Sequence, residues 1–213
     1  AFRDPSVMMA FGRIQFANSQ GEYFAGLDHY REDSEPGIWE ARMTRPAAEW
    51  FRGGFGVKNV IANVGGSLWR RFEISDQVWE EARSYKIMGD WYLYSAIAAG
   101  GQIAYEPSSV SYFRIHDSNT SGSSAQSKPE YYKEYARLMT SLKKRWDIPD
   151  GTLKRFIEVC RSVSKSAGVQ AEEFQKLVNY QSLSAVPREH IHVLVGILGF
   201  SFGGGEIFPI HLA

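Results

Sequence analysis

Residues 87–94 read Ile-Met-Gly-Asp-Trp-Tyr-Leu-Tyr, a single carboxylate set between a glycine and a tryptophan at the head of an apolar run. Ser95-Ala96-Ile97-Ala98-Ala99 continues the run, and Gly100-Gly101 stops it. The stretch predicts a helix over 90–99 with Asp90 in its first turn. An acid in that position is ordinary as an N-cap. An acid wedged among large apolar and aromatic neighbours can also be there for chemistry. Burial against Met88 and Trp91 raises its pKa, whereas the helix N-terminus lowers it.

The composition narrows the setting. Of 213 residues, 44% are hydrophobic and 23% charged, as in a globular rather than a disordered protein. Lys plus Arg equals Asp plus Glu at 24 each, so no net basic field draws in nucleic acid. Cys160 is the single cysteine, which excludes an internal disulfide and a cysteine-based zinc site. That usage fits a reducing compartment, so a cytoplasmic or membrane-peripheral protein is expected. The longest apolar stretch, residues 191–200, is strand-sized, so no transmembrane segment is expected. Nor does the start of the sequence read as a signal peptide.

Working outward from Asp90, residues 75–85 carry a good helix start, Ser-Asp-Gln-Val-Trp-Glu-Glu. Residues 7–17 and 57–64 read as strands, and 103–105 and 110–115 as two short strands around Pro107. Residues 46–51 read as a short helix with proline in its first turn, ended by Gly53-Gly54. Residues 27–39 are charged and irregular and read as an exposed excursion, and 118–128 as a loop. The pattern then changes to three amphipathic helices, 129–146, 151–166 and 171–183, and a linker at Val186-Pro187-Arg188. A strand apolar on both faces follows at 190–200, of the kind covered on both sides in a parallel sheet.

Three pieces between Asn59 and Ser118 occur in a recognisable order: N-V-I-A-N-V-G-G-S-L-W-R-R, then M-G-D-W-Y-L-Y-S-A-I-A-A-G-G-Q-I-A-Y-E-P, then Y-F-R-I-H-D-S-N-T-S. Together they resemble the second half of the catalytic domain of family-two glycosyltransferases. Those are GT-A fold enzymes that transfer a sugar from a nucleotide-sugar donor with inversion. The resemblance covers roughly residues 1–125 and implies a partial GT-A domain, α/β in class and α+β within this stretch. Asp90 matches the general base that takes the proton of the acceptor hydroxyl. Asn63, Gly65 and Gly66 match the segment lining the acceptor side, and Trp91 follows the base at the substrate. His116 falls where related enzymes hold the metal or the departing diphosphate. Arg114 shares its strand face, and this pair suits a diphosphate. Arg70 and Arg71 read as a solvated surface step, with a phosphate role as the alternative.

The family's first half, with its nucleotide-binding strands and Asp-x-Asp metal motif, has no counterpart in this sequence. Glu32-Asp33 lies in a charged loop without the apolar strand that should precede such a motif. The expectation is therefore a fragment of a longer enzyme. Its divalent metal, Mn or Mg, and much of its donor site would belong to the complete protein, and the chain alone would bind nucleotide-sugar weakly. A shorter stretch, V-L-V-G-I-L-G-F-S-F-G-G-G-E at 193–206, resembles the first strand and glycine-rich loop of a GT-B glycosyltransferase. There Gly203, Gly204, Gly205 and Glu206 would approach donor diphosphate and acceptor. The expected division is 1–125 as the acceptor-side half of a GT-A domain, 126–187 as a helical connector, and 188–213 as the start of a GT-B-like domain. Expected partners are a nucleotide-sugar donor and a glycan acceptor. The strand at 191–200 is expected to add to a sheet edge or to pair with a second copy in a homo-oligomer. The alternative is a non-catalytic module, in which the helices 129–183 bind a partner or dimerise through bare apolar stripes.

Overall fold

The strand β1 (Val7–Ala17) organises the sheet. The computed structural model describes residues 1–116 and 122–189. β2 (Tyr23–Phe24) and β4 (Ser67–Trp69) run antiparallel to β1 at its two ends, and β5 (Gln102–Arg114) runs parallel along its other edge. β3 (Met43–Pro46) lies antiparallel on the outside of β5, giving the order β2-β1-β5-β3 in a mixed α/β architecture. The two short strands expected around Pro107 are thus one strand. Its pairing with β1 jumps from Gly12↔Glu106 to Arg13↔Val110, so residues 107–109 bulge out of register and accommodate the proline. Gly12 lies under that bulge, where a Cβ would sit 2.4 Å from the Ser109 carbonyl oxygen.

The expected strand at 57–64 is not one. Gly53-Gly54 redirects rather than ends the helical path, and α1 (Ala47–Arg52) is followed by α2 (Gly54–Val57). Trp50, Phe51 and Phe55 from this pair enter the core. Val60 and Ile61 are then buried, but no strand of the sheet pairs with this segment. The segment closes in a 3-10 turn, Val64–Gly66.

Residues 27–39 are not an exposed excursion either. Asp28, Arg31, Ser34 and Trp39 are buried. Asp28 adopts a left-handed backbone (φ 62°), its Oδ1 accepting from Ile14 N at 3.0 Å and its Oδ2 from Arg13 Nε at 2.6 Å. The Arg31 guanidinium, 1% exposed, packs over the rings of Phe11, Trp39 and Tyr105 and donates to Gly12 O. The charges that made this stretch read as solvent-facing are matched to one another inside the fold.

α3 (Asp76–Arg83) and α4 (Gly89–Ile97) stand close to their expected positions. Beyond them come α5 (Ser123–Gln126), within the expected loop, then α6 (Pro129–Arg145) and α7 (Asp150–Ser166). The third expected helix is broken into α8 (Ala171–Leu177) and α9 (Tyr180–Ser184), because Asn179 Oδ1 accepts from Ser182 N and starts a new helix.

One cluster of buried side chains runs from β1 to α9. Phe51 stacks on Trp146 with ring centroids 4.8 Å apart, Trp91 meets Tyr135 edge-on at 6.0 Å, and Leu138, Leu142, Phe156 and Phe174 complete it. The buried side chains of α6 to α9 thus belong to the same cluster as those of the sheet. The apolar stripes of these helices face inward. The expected strand at 191–200 and the glycine-rich loop Gly203–Glu206 lie outside the described residues.

Candidate active site

Gly89 sets where α4 begins. A Cβ at this position would lie 2.4 Å from the Ala82 carbonyl oxygen, so only glycine lets the helix start this close to the end of α3. Asp90 follows in the first turn, half-buried, with Oδ1 accepting from Trp91 N at 2.7 Å. The Asn59 side chain faces the carboxylate and, with the backbone N–H groups of Trp91 and Asp90, favours its ionised form. Burial outweighs them and pushes the carboxyl up to about 6. Among the described residues no Lys, Arg or His forms an ion pair with it. A surface N-cap, hydrated and stabilised by the helix dipole, would titrate below the usual carboxylate range instead.

Two phenols lie within electrostatic reach of Asp90. Tyr94 lies one turn later on α4; its Oη is buried without a hydrogen bond. Burial raises its pKa and the Asp90 charge adds to the effect. Tyr30, in the 3-10 turn His29–Arg31, is likewise raised by burial, with Tyr131 and Asp90 contributing. Lys58 fixes this turn: its Nζ donates to Tyr30 O at 2.7 Å and to both Asp33 carboxylate oxygens, and it lies 4.3 Å from the Tyr30 ring centroid. Burial lowers the Lys58 pKa and Asp33 partly restores it.

Tyr30 also packs against the sheet. Its ring meets Phe16 edge-on at 5.6 Å, and Phe16 meets Phe113 at 5.6 Å, at the C-terminal ends of β1 and β5. Arg114 ends β5 and His116 follows, both exposed. Arg114 and His116 thus lie at the C-terminal end of the parallel strand pair, where open α/β sheets hold their ligands.

The other expected residues are placed as follows. Asn63 precedes the 3-10 turn that contains Gly65 and Gly66. Gly66 permits a close approach to β5, since a Cβ there would lie 2.8 Å from Ser111 Oγ. Trp91 points into the core rather than toward a substrate: it is 0% exposed and its Nε1 donates to Phe55 O at 3.0 Å. Arg70 is no solvated step, because its guanidinium donates to the carbonyls of Val7, Phe2 and Asp4 and pins the N-terminal segment. For the expected metal, the described residues contain no group of three or more His, Cys, Asp or Glu side chains able to hold an ion.

Asn59, Tyr30, Tyr94 and Lys58 were not singled out by sequence reasoning. Only Tyr94 carried a signal, being four residues after Asp90 and so on its face of the helix.

Among the described residues no helix is long and apolar enough to cross a membrane. No family model, no curated protein and no solved structure matches the chain. What the molecule itself defines is a mixed α/β fold. At the start of α4 it sets a half-buried acid that has no ion pair among the described residues.

Proposed function

We propose that this chain supplies the acceptor-side half of an inverting GT-A-type glycosyltransferase. The enzyme moves a sugar from a nucleotide-diphosphate sugar to an acceptor hydroxyl, in polysaccharide or cell-surface glycan synthesis. The supporting observation is the state of Asp90: a carboxylate at a helix start that burial nevertheless raises to about 6, with no cation beside it. Such a group is ionised at neutral pH and close enough to its pKa to accept a proton, as a general base requires. In the proposed step Asp90 takes the proton of the acceptor hydroxyl while the acceptor oxygen bonds to the anomeric carbon. The bond from that carbon to the diphosphate breaks, and the nucleoside diphosphate leaves with the electron pair. Arg114 and His116 are assigned to the diphosphate, and no step is assigned to a divalent cation. The cytoplasmic setting belongs to the same proposal and rests on the lone, buried Cys160.

The competing function, a helical dimerisation module, was motivated by apolar stripes left bare. Those stripes are buried in the shared core. The test is the stereochemistry of transfer by the protein carrying this chain. An α-linked nucleotide-sugar donor is expected to yield a β-linked product by proton NMR. An α-linked product would overturn the inverting assignment.

A further inference from the structure

We propose that Glu134, on α6, is the residue that positions Asp90. Its carboxylate gathers the three backbone N–H groups that lead into α4: Oε1 accepts from Lys86 N at 2.8 Å, and Oε2 from Ile87 N at 2.9 Å and Met88 N at 3.2 Å. These donors belong to the turn between α3 and α4 and its junction with α4, where helix geometry provides no partners of its own. One remote carboxylate holding three consecutive amides fixes the backbone of that turn. The turn ends two residues before Asp90.

The next residue of α6 grips the other side. Tyr135 lies edge-on against Trp91, the residue after Asp90, and its Oη is 3.3 Å from that of Tyr131. Tyr131 in turn contributes to the field around Tyr30. The acid is thereby held from both sequence directions by a helix some forty residues downstream. The groups facing Asp90 itself are Asn59, Tyr30 and Tyr94. None is cationic, so no ion pair fixes the carboxylate, and the backbone beneath it has to be held. That Asp90 does chemistry rests on the proposed transferase function; that Glu134 holds it is a separate claim with its own readout.

The test follows Asp90 directly in this chain, by carbon-13 NMR of its carboxyl together with amide exchange at residues 86–88. In Glu134→Ala the turn before Asp90 is released and water gains access to the carboxyl, which lowers the Asp90 midpoint from about 6 toward the ordinary carboxylate range. The three amides are expected to exchange at least about tenfold faster. Glu134→Gln keeps one acceptor oxygen and must give up at least one of the three bonds. It is expected to speed at least one of these amides and to lower the midpoint by less than the alanine variant does. Gln therefore decides the matter if the alanine variant does not fold. A folded variant with the midpoint and all three exchange rates at wild-type values would overturn the proposal. In the transferase assay, Glu134→Gln is expected to reduce kcat with donor KM unchanged. Undiminished turnover in Asp90→Asn would overturn the function of Asp90, while the NMR result on Glu134 would still stand or fall by itself.

Discussion

Asp90 is ionised at neutral pH in surroundings that favour its neutral form, and this has a thermodynamic consequence. Its folded pKa, about 6, lies above the ordinary value of 3.8. An acid with a raised folded pKa binds protons more tightly in the native state, so it destabilises the fold at pH above 6. The penalty shrinks as pH falls through 6 and is gone below about 3.8. A difference of this size corresponds to about 3 kcal/mol. Asp90→Asn keeps an oxygen to accept from Trp91 N and carries no charge. It should therefore be more stable than wild type by about 2–3 kcal/mol at pH 8 and no more stable at pH 4, in urea titrations at both pH values. Lower stability at pH 8 would mean that Asp90 is chiefly a helix cap. The identity of this acid was legible from its apolar neighbours in sequence. Its partners were not: Tyr30 sits among charges that read as solvent-facing, and Asn59 in a segment that read as a strand.

At the scale of elements, α4 is placed by contact between backbones as much as by its own sequence. The helix was legible because its apolar run ends in Gly100-Gly101, but the reason for Gly89 lies seven residues earlier, at the Ala82 carbonyl. Gly89→Ala has to push α3 and α4 apart. It should cost about 1–3 kcal/mol, like other overpacked sites, as read from denaturant midpoints. A neutral result would show that the junction is loose. Elsewhere, β1, α3, α6 and α7 follow from local periodicity and their turn residues. β5 could not be read as one strand, because a bulge that carries Pro107 past Gly12 leaves no periodic trace. The break between α8 and α9 turns on a single cap, Asn179, within a continuous amphipathic pattern.

At the scale of the molecule, the change in composition near residue 126 looked like a domain boundary. It marks a change from sheet to helices within one core. The contacts that join the two parts, Phe51 with Trp146 and Trp91 with Tyr135, span 95 and 44 residues of sequence, a separation that no local pattern reports. Mixed α/β class was legible; the integration of α6 to α9 with the sheet was not, nor was the hold of α6 on the turn before Asp90. The proposed function rests on Asp90. The most direct measurement is the turnover of Asp90→Asn, at saturating donor, in the protein that carries this chain. Removing a general base should lower kcat by roughly 10²–10⁴-fold and leave the donor Kd from calorimetry unchanged. Turnover at the wild-type rate would contradict the account.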